Sequence, residues 1–149
     1  MQESYGSFGK PTWYRGTQYR SQTEARWAVY FDLRGWTHTY EPFVIPMPNG
    51  SRGYKPDFLA TVHGNEVLWE VKASSKLREK ADPRWTVAVD RGRHPLVVSY
   101  GFPGWDLDFQ TWGGSHGEHG VMWQKYDRIV NDVNGNRLGP AALEAKNYV

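Results

Sequence analysis

The stretch from Tyr54 to Lys72 constrains this chain more than any other. Phe58 to Val62 and Val67 to Val71 are short runs of β-branched and aromatic residues, and His63-Gly64-Asn65 between them supplies the Gly and Asn of a tight connection. The pattern predicts a β-hairpin. Side chains two apart on a strand share a face, so Glu70 and Lys72 fall together, with Val67, Trp69 and Val71 on the opposite face. One face carries charge and the other packs. Asp57 follows Pro56 at the mouth of the first strand, where pairing with the second brings its carboxylate near that of Glu70. Two carboxylates held together repel unless a proton or a hard cation lies between them, and Mg²⁺ is commonly held by one or two carboxylates plus substrate phosphate oxygens. Taken singly, each residue has a plainer reading: Pro-Asp is a common turn pair, and an exposed Glu70–Lys72 ion pair is worth under about 1 kcal/mol. Taken together, they make a two-acid, one-lysine cluster at the end of a strand.

Upstream, Ser21-Gln22-Thr23-Glu24 has the spacing of a capping box, followed by a helical run from Ala25 to Leu33 and a stop at Gly35. Glu24, Ala28 and Phe31 share a stripe of that helix. A glutamate at this position can reach back to the cap amide, which is its structural explanation. Trp36 to Glu41 alternates as a strand, with Trp36, His38 and Tyr40 on one face, and Pro42 ends regular pairing or places it at an edge. Phe43-Val44-Ile45 reads as a second short strand, closed by Pro46, Pro48 and the Asn49-Gly50 turn signal. After Lys72, Ala73-Ser74-Ser75 offers a cap for a helical stretch from Lys76 to Ala81, which is interrupted at Asp82-Pro83 and restarts through Asp90. Leu96 to Tyr100 is a continuous apolar run typical of a buried strand, reached by a right-handed crossover onto a parallel neighbour.

Pro-Asp at 56–57, a dozen residues, then Glu70-Val71-Lys72 resembles the catalytic motif of the PD-(D/E)XK nuclease superfamily. The run Tyr19-Arg20-Ser21-Gln22-Thr23-Glu24-Ala25-Arg26, with Tyr40-Glu41-Pro42, looks like the form found in phage and transposon nucleases. The resemblance spans roughly Tyr19 to Gly101. It implies an α/β, restriction-endonuclease-like core: a central mixed sheet of about four to five strands flanked by helices in the order αβββαβ. The expected organisation is a single domain over 1–149, with an N-terminal arm at 1–18, the core at about 19–101 and a C-terminal extension at 102–149. It further implies a Mg²⁺-dependent DNA endonuclease, with Mn²⁺ able to substitute. Asp57 and Glu70, with Glu24 as a metal-site acid rather than a pure cap and the backbone carbonyl of Val71, are the implied ligands, and Lys72 is the residue that positions the attacking water. A branched substrate such as a Holliday junction, cut by a homodimer, follows from the phage-like helix motif. Restriction-like or homing-type cutting uses the same core, and a DNA-binding module that keeps the scaffold without turnover is the non-enzymatic alternative.

Composition bounds these readings without selecting among them. The 149 residues fit one domain, and the absence of cysteine excludes disulfides and thiolate metal sites. No apolar stretch approaches the ~20 residues needed to span a bilayer, so a soluble, cytoplasmic protein is expected. A net charge of +2 does not by itself name nucleic acid as partner. Distribution says more: Lys72, Lys76, Arg78, Lys80, Arg84, Arg91 and Arg93 crowd the region after the hairpin, which suits either a phosphate backbone or a solvated helix face. Arg20, Lys55, Lys76, Arg78, Lys80 and Arg84 are the candidate DNA contacts. Trp27, Trp36, Trp69 and Trp85 fall on expected elements and should fill the core, whereas Trp105, Trp112 and Trp123 are candidates for base stacking. Met1 to Gly16 reads as an arm or loop. Past Gly101, the glycine-flanked His116, Glu118 and His119 read as a loop before they read as metal ligands, Val121 to Val130 as a strand or short helix, and Pro140 to Lys146 as a helix begun by proline.

Overall fold

The computed structural model describes residues 10–73, 82–92, 94–102, 108–112, 129, 131–133, 135–136 and 139–148, with 108–112 given by backbone alone. The expected hairpin forms, as β4 (Phe58–Val62) and β5 (Asn65–Lys72), paired antiparallel with Phe58 opposite Trp69 and Val62 opposite Asn65. His63 (φ 51°) and Gly64 (φ 80°) make the two-residue turn, both left-handed, as a type I′ connection requires. The other strands add to this pair. β3 (Thr37–Tyr40) lies antiparallel on β4, β6 (Leu96–Tyr100) parallel on β5, and β7 (Asp108–Trp112) antiparallel on β6. The result is a mixed five-stranded sheet in the order β3-β4-β5-β6-β7.

Helix α1 (Gln22–Leu33) starts at Ser21, whose Oγ accepts the Glu24 amide at 3.0 Å. It ends in a Schellman arrangement, with Gly35 at φ 74°, its N–H on Asp32 O and the Trp36 N–H on Phe31 O. α1 lies on one face of the sheet, where Trp27, Ala28 and Phe31 pack on Phe58, Ala60, Trp69 and Val71. α2 (Arg84–Gly92) covers the other face, joining Trp85, Ala88 and Val89 to Leu68, Leu96, Val98 and Tyr100. Asp82 caps α2 by accepting the Arg84 amide at 2.9 Å. α3 (Pro140–Lys146) buries Ala142 and Ala145 in the α1-side core. The chain is thus α/β, and the order α1, β3, β4, β5, α2, β6 is the expected helix, three strands, helix, strand.

Four expectations change. Phe43-Val44-Ile45 is not a strand: prolines 42 and 46 bracket it, and it makes a single antiparallel bridge, Ile45 to Tyr54. The N-terminal segment is not all loop, since β1 (Thr12–Tyr14) and β2 (Thr17–Tyr19) form a small hairpin around Arg15 and Gly16, both at positive φ. β7 occupies part of the region expected to lie beyond the core. The Glu70 face of β5 is not an exposed charged face either: α2 and Tyr54 cover it, and β5 is buried from Val67 through Val71. The expected helix at 76–81 and the segment 121–128 lie outside the described residues, as do Trp105 and Trp123. Trp27, Trp36, Trp69 and Trp85 are core residues, as expected. No helix among the described residues is long and apolar enough to cross a membrane.

Candidate active site

The hairpin register sets the site. Because Phe58 pairs with Trp69, the residue before it, Asp57, comes level with Glu70 and Val71. Asp57 Oδ2 accepts the Val71 N–H at 2.8 Å. The N–H and C=O of one strand residue address the same neighbouring strand, so the Val71 carbonyl also faces the Asp57 side. On the facing helix, Glu24 sits one turn in from the cap and points to the same place. Its carboxylate does not serve the capping box: Oε1 accepts the Tyr40 hydroxyl at 2.7 Å and Oε2 lies 3.8 Å from Arg20 Nη2. Arg20 Nη2 also donates to Asp57 Oδ1 at 3.2 Å, so Glu24 and Asp57 share one guanidinium nitrogen. Glu70 Oε1 accepts the Tyr54 hydroxyl at 2.5 Å, and Glu70 Oε2 lies 3.5 Å from Lys72 Nζ. The Lys72 ammonium stands 5.7 Å from the Trp85 ring centroid, a cation–π contact.

All three acids are buried, at 1 % exposure for Glu24, 3 % for Asp57 and 8 % for Glu70, in a protein where buried carboxyls are otherwise rare. Burial raises the pKa of each. At Asp57 the charges of Glu70 and Glu24 add to burial, outweighing the Val71 amide and Arg20 and leaving it well above the ordinary carboxylate range. At Glu24 burial prevails over the Tyr40 hydrogen bond and Arg20, and at Glu70 over Lys72 and the Tyr54 hydroxyl. Tyr40 and Tyr54 are in turn pushed up, by burial and then by the carboxylate each one meets. Asp57 and Glu70 open onto a pocket of about 400 Å³ whose lining also includes Lys72, Arg20, Lys55 and Arg84.

Of the sequence-derived candidates, Glu24, Asp57, Glu70, Lys72, Val71 and Arg20 come together here. Lys55 is at the rim, 3.7 Å from Glu41. Arg84 is at the rim too, but its guanidinium is engaged by Asp82 (2.6 Å) and the Gly53 carbonyl (2.9 Å) and lies over the Tyr54 ring. Lys76, Arg78 and Lys80 fall outside the described residues, as do His116, Glu118 and His119. The site also takes in Tyr40, Glu41 and Tyr54, which the sequence reading does not name as site residues. Tyr40 and Glu41 belong to the Tyr40-Glu41-Pro42 run that resembles the phage and transposon form, but Tyr54 carries no signal beyond standing three residues before Asp57. Among the described residues no three His, Asp or Glu groups already form a cation cage; a guanidinium stands between two of the acids instead. As a donor set, three clustered carboxyls offer the oxygen ligands that hard divalent cations take, once they are ionised. No family model, no curated protein and no solved structure matches the chain.

Proposed function

We propose that this protein is a divalent-metal-dependent deoxyribonuclease of the PD-(D/E)XK type. One observation carries the reading: an acid before β4 and an acid and a lysine from β5 line one pocket, and an acid from α1, Glu24, reaches the same cluster through the Arg20 guanidinium that it shares with Asp57. Asp57 and Glu70, with Glu24 and the Val71 carbonyl, would hold Mg²⁺ or Mn²⁺, which when bound supplies positive charge to the scissile phosphate and its leaving oxygen. The protein's own part is orientation. The Val71 amide fixes Asp57, the Tyr54 hydroxyl fixes one oxygen of Glu70, and Lys72, held between Glu70 and the Trp85 ring, keeps an ammonium at the pocket to position the attacking water or offset charge building on the phosphate. Lys55 and Arg52 on the lining add positive charge that suits a phosphate backbone. A branched DNA substrate and action as a homodimer are part of the proposal, and they rest on the Tyr19 to Arg26 resemblance.

The test is incubation with Mg²⁺ or Mn²⁺ and labelled duplex, single-stranded, forked and four-way DNA, for wild type, Asp57→Asn and Lys72→Ala. Cleavage by wild type, lost by about a hundredfold or more in both variants with DNA binding in Ca²⁺ retained, is the expected result. Variants that cut at the wild-type rate overturn the residue assignment. Binding of DNA by wild type with no cleavage on any substrate overturns the enzyme in favour of a non-catalytic binding module.

A further inference from the structure

Arg20 stands between β2 and the cap of α1, and its guanidinium meets three acids from three separate parts of the chain. Nη2 is 3.2 Å from Asp57 Oδ1 and 3.8 Å from Glu24 Oε2, and Nε is 2.9 Å from Glu41 Oε2. The Tyr40 hydroxyl accepts both the Arg20 backbone N–H (3.1 Å) and Nε (3.3 Å). This is not an ordinary surface ion pair, because two of the acids are fully buried while the arginine side chain is 62 % exposed. Glu41 adds a second observation. It adopts φ 47°, an unfavourable conformation for a residue with a side chain, and is held there by its N–H donating to the Asp57 carbonyl at 2.7 Å. That turn brings the Glu41 carboxylate back onto the arginine.

We propose that Arg20 is an exchangeable counter-cation: it neutralises Glu24 and Asp57 in the metal-free protein and gives up both when a divalent ion enters, while Glu41 keeps it tethered at the pocket. The proposal rests on the metal-dependent reading above and adds a regulatory step to it. The physical reason is competition for the same oxygens. A guanidinium and a divalent cation within a few ångströms of one another repel, so a cation drawn to Glu24 and Asp57 weakens the Arg20 contacts to both. The high exposure of the arginine gives it solvent to move into. Metal affinity is therefore set against the ion pairs that entry breaks, and the acids are not left unpaired in the metal-free state.

The experiment titrates Mn²⁺ into wild type, Arg20→Gln and Arg20→Lys at pH 8, following the electron paramagnetic resonance of free Mn²⁺, with thermal melts in EDTA and in Mn²⁺. Two partly exposed ion pairs at roughly a kcal/mol or less each correspond to about tenfold, so Arg20→Gln should bind Mn²⁺ about tenfold more tightly than wild type. It should also melt lower in EDTA and gain more from Mn²⁺. Arg20→Lys, with one compact ammonium in place of a fork, should fall between the two. Unchanged or weaker affinity in both variants, with the same melting loss in EDTA and in Mn²⁺, makes Arg20 a structural ion pair and overturns the counter-cation. A wild type that neither binds Mn²⁺ nor cuts DNA overturns the nuclease reading and this proposal with it, whereas a wild type that does both alongside variants of unaltered affinity overturns the proposal alone.

Discussion

Asp57 has to satisfy two opposed demands. To hold the proposed cation it must be ionised, yet it is buried beside Glu70 and Glu24, and its pKa is driven up by burial first and by those charges second. Glu24 and Glu70 shift the same way, chiefly through burial. In the unfolded chain these carboxyls titrate near pH 4. Above that, and up to their raised folded values, the folded protein binds more protons than the unfolded one, so unfolding free energy falls as pH rises. Asp82 and Asp132 act in the opposite sense. Burial opposes ionisation in both, but hydrogen bonds to Arg84 and Arg34 outweigh it, so their pKa values are lowered and their contribution is lost as pH falls below about 4. The metal-free protein should therefore be most stable in mild acid and lose stability toward pH 8. Asp57→Asn keeps an oxygen for the Val71 amide and removes one charge. It should flatten the decline and raise the melting point at the alkaline end relative to wild type, and on the proposed mechanism it should also abolish cleavage. Melting curves in EDTA from pH 4.5 to 8.5 measure this, and a wild type whose melting point climbs steadily to pH 8 contradicts it.

Among the elements, the loop between β3 and β4 reaches the site through Tyr54. It is pinned by the Ile45–Tyr54 bridge, with both residues buried, and Gly53 lies directly against it: a Cβ there would stand 2.5 Å from Val44 Cγ1 and 3.3 Å from the Ile45 carbonyl oxygen. Tyr54 carries the hydroxyl that holds Glu70. Gly53→Ala should push the loop off its seat, cost about 1–3 kcal/mol of stability and lower turnover more than Gly64→Ala does. Gly64 is the useful control. Nothing lies near its Cβ position, and with φ 80° an alanine there costs about 1 kcal/mol of backbone strain far from the acids. Equal turnover in the two variants would remove the loop from the mechanism.

The same contrast explains what could be read from sequence. The β4–β5 hairpin was legible because alternation and a Gly-Asn turn are local signals, and α1 because its cap, its stop and its apolar stripe lie within the fifteen residues from Ser21 to Gly35. Asp57, Glu70 and Lys72 followed once the hairpin was fixed, whereas Glu24 came only from the resemblance of the Tyr19 to Arg26 run. Phe43 to Ile45 misled because strand composition does not report whether a partner exists, and β1 and β2 are three residues each, too short for alternation to register. Tyr40 and Tyr54 each carry a hydroxyl whose partner lies sixteen residues away. In sequence they look like strand and loop aromatics, and three-dimensional register alone makes them site residues.

On the scale of the whole molecule, the region after β7 is joined to the core by charge as well as by packing. Asp132 accepts Arg34 through both oxygens, at 2.7 and 2.9 Å, and lies 2.9 Å from His63 Nε2. Arg34 is the C-cap of α1, donates to the Tyr30 hydroxyl at 2.7 Å and stacks over Trp36 at 4.7 Å, while His63 is the first residue of the hairpin turn. One carboxylate thus joins the end of α1, the tip of the β4–β5 hairpin and the C-terminal segment, where Ile129 and Val133 enter the α1-side core. Asp57 and Glu70 stand at the opposite end of that hairpin, so removing the clamp should separate stability from the proposed chemistry. Arg34 and Asp132 are mostly buried and joined by charged hydrogen bonds, so Asp132→Asn should cost about 2 kcal/mol and Asp132→Ala more. Metal affinity should stay at the wild-type level in both. Because the lowered pKa of Asp132 stabilises the fold only while the group is ionised, the gap between wild type and Asp132→Asn should be widest near neutral pH and close as pH falls below about 4. Urea melts at pH 7 and pH 3.5, with Mn²⁺ titrations on the same samples at pH 7, measure both parts. A penalty that persists undiminished at pH 3.5 assigns the loss to packing, and a change in Mn²⁺ affinity shows that the clamp reaches the carboxylate pocket along the hairpin.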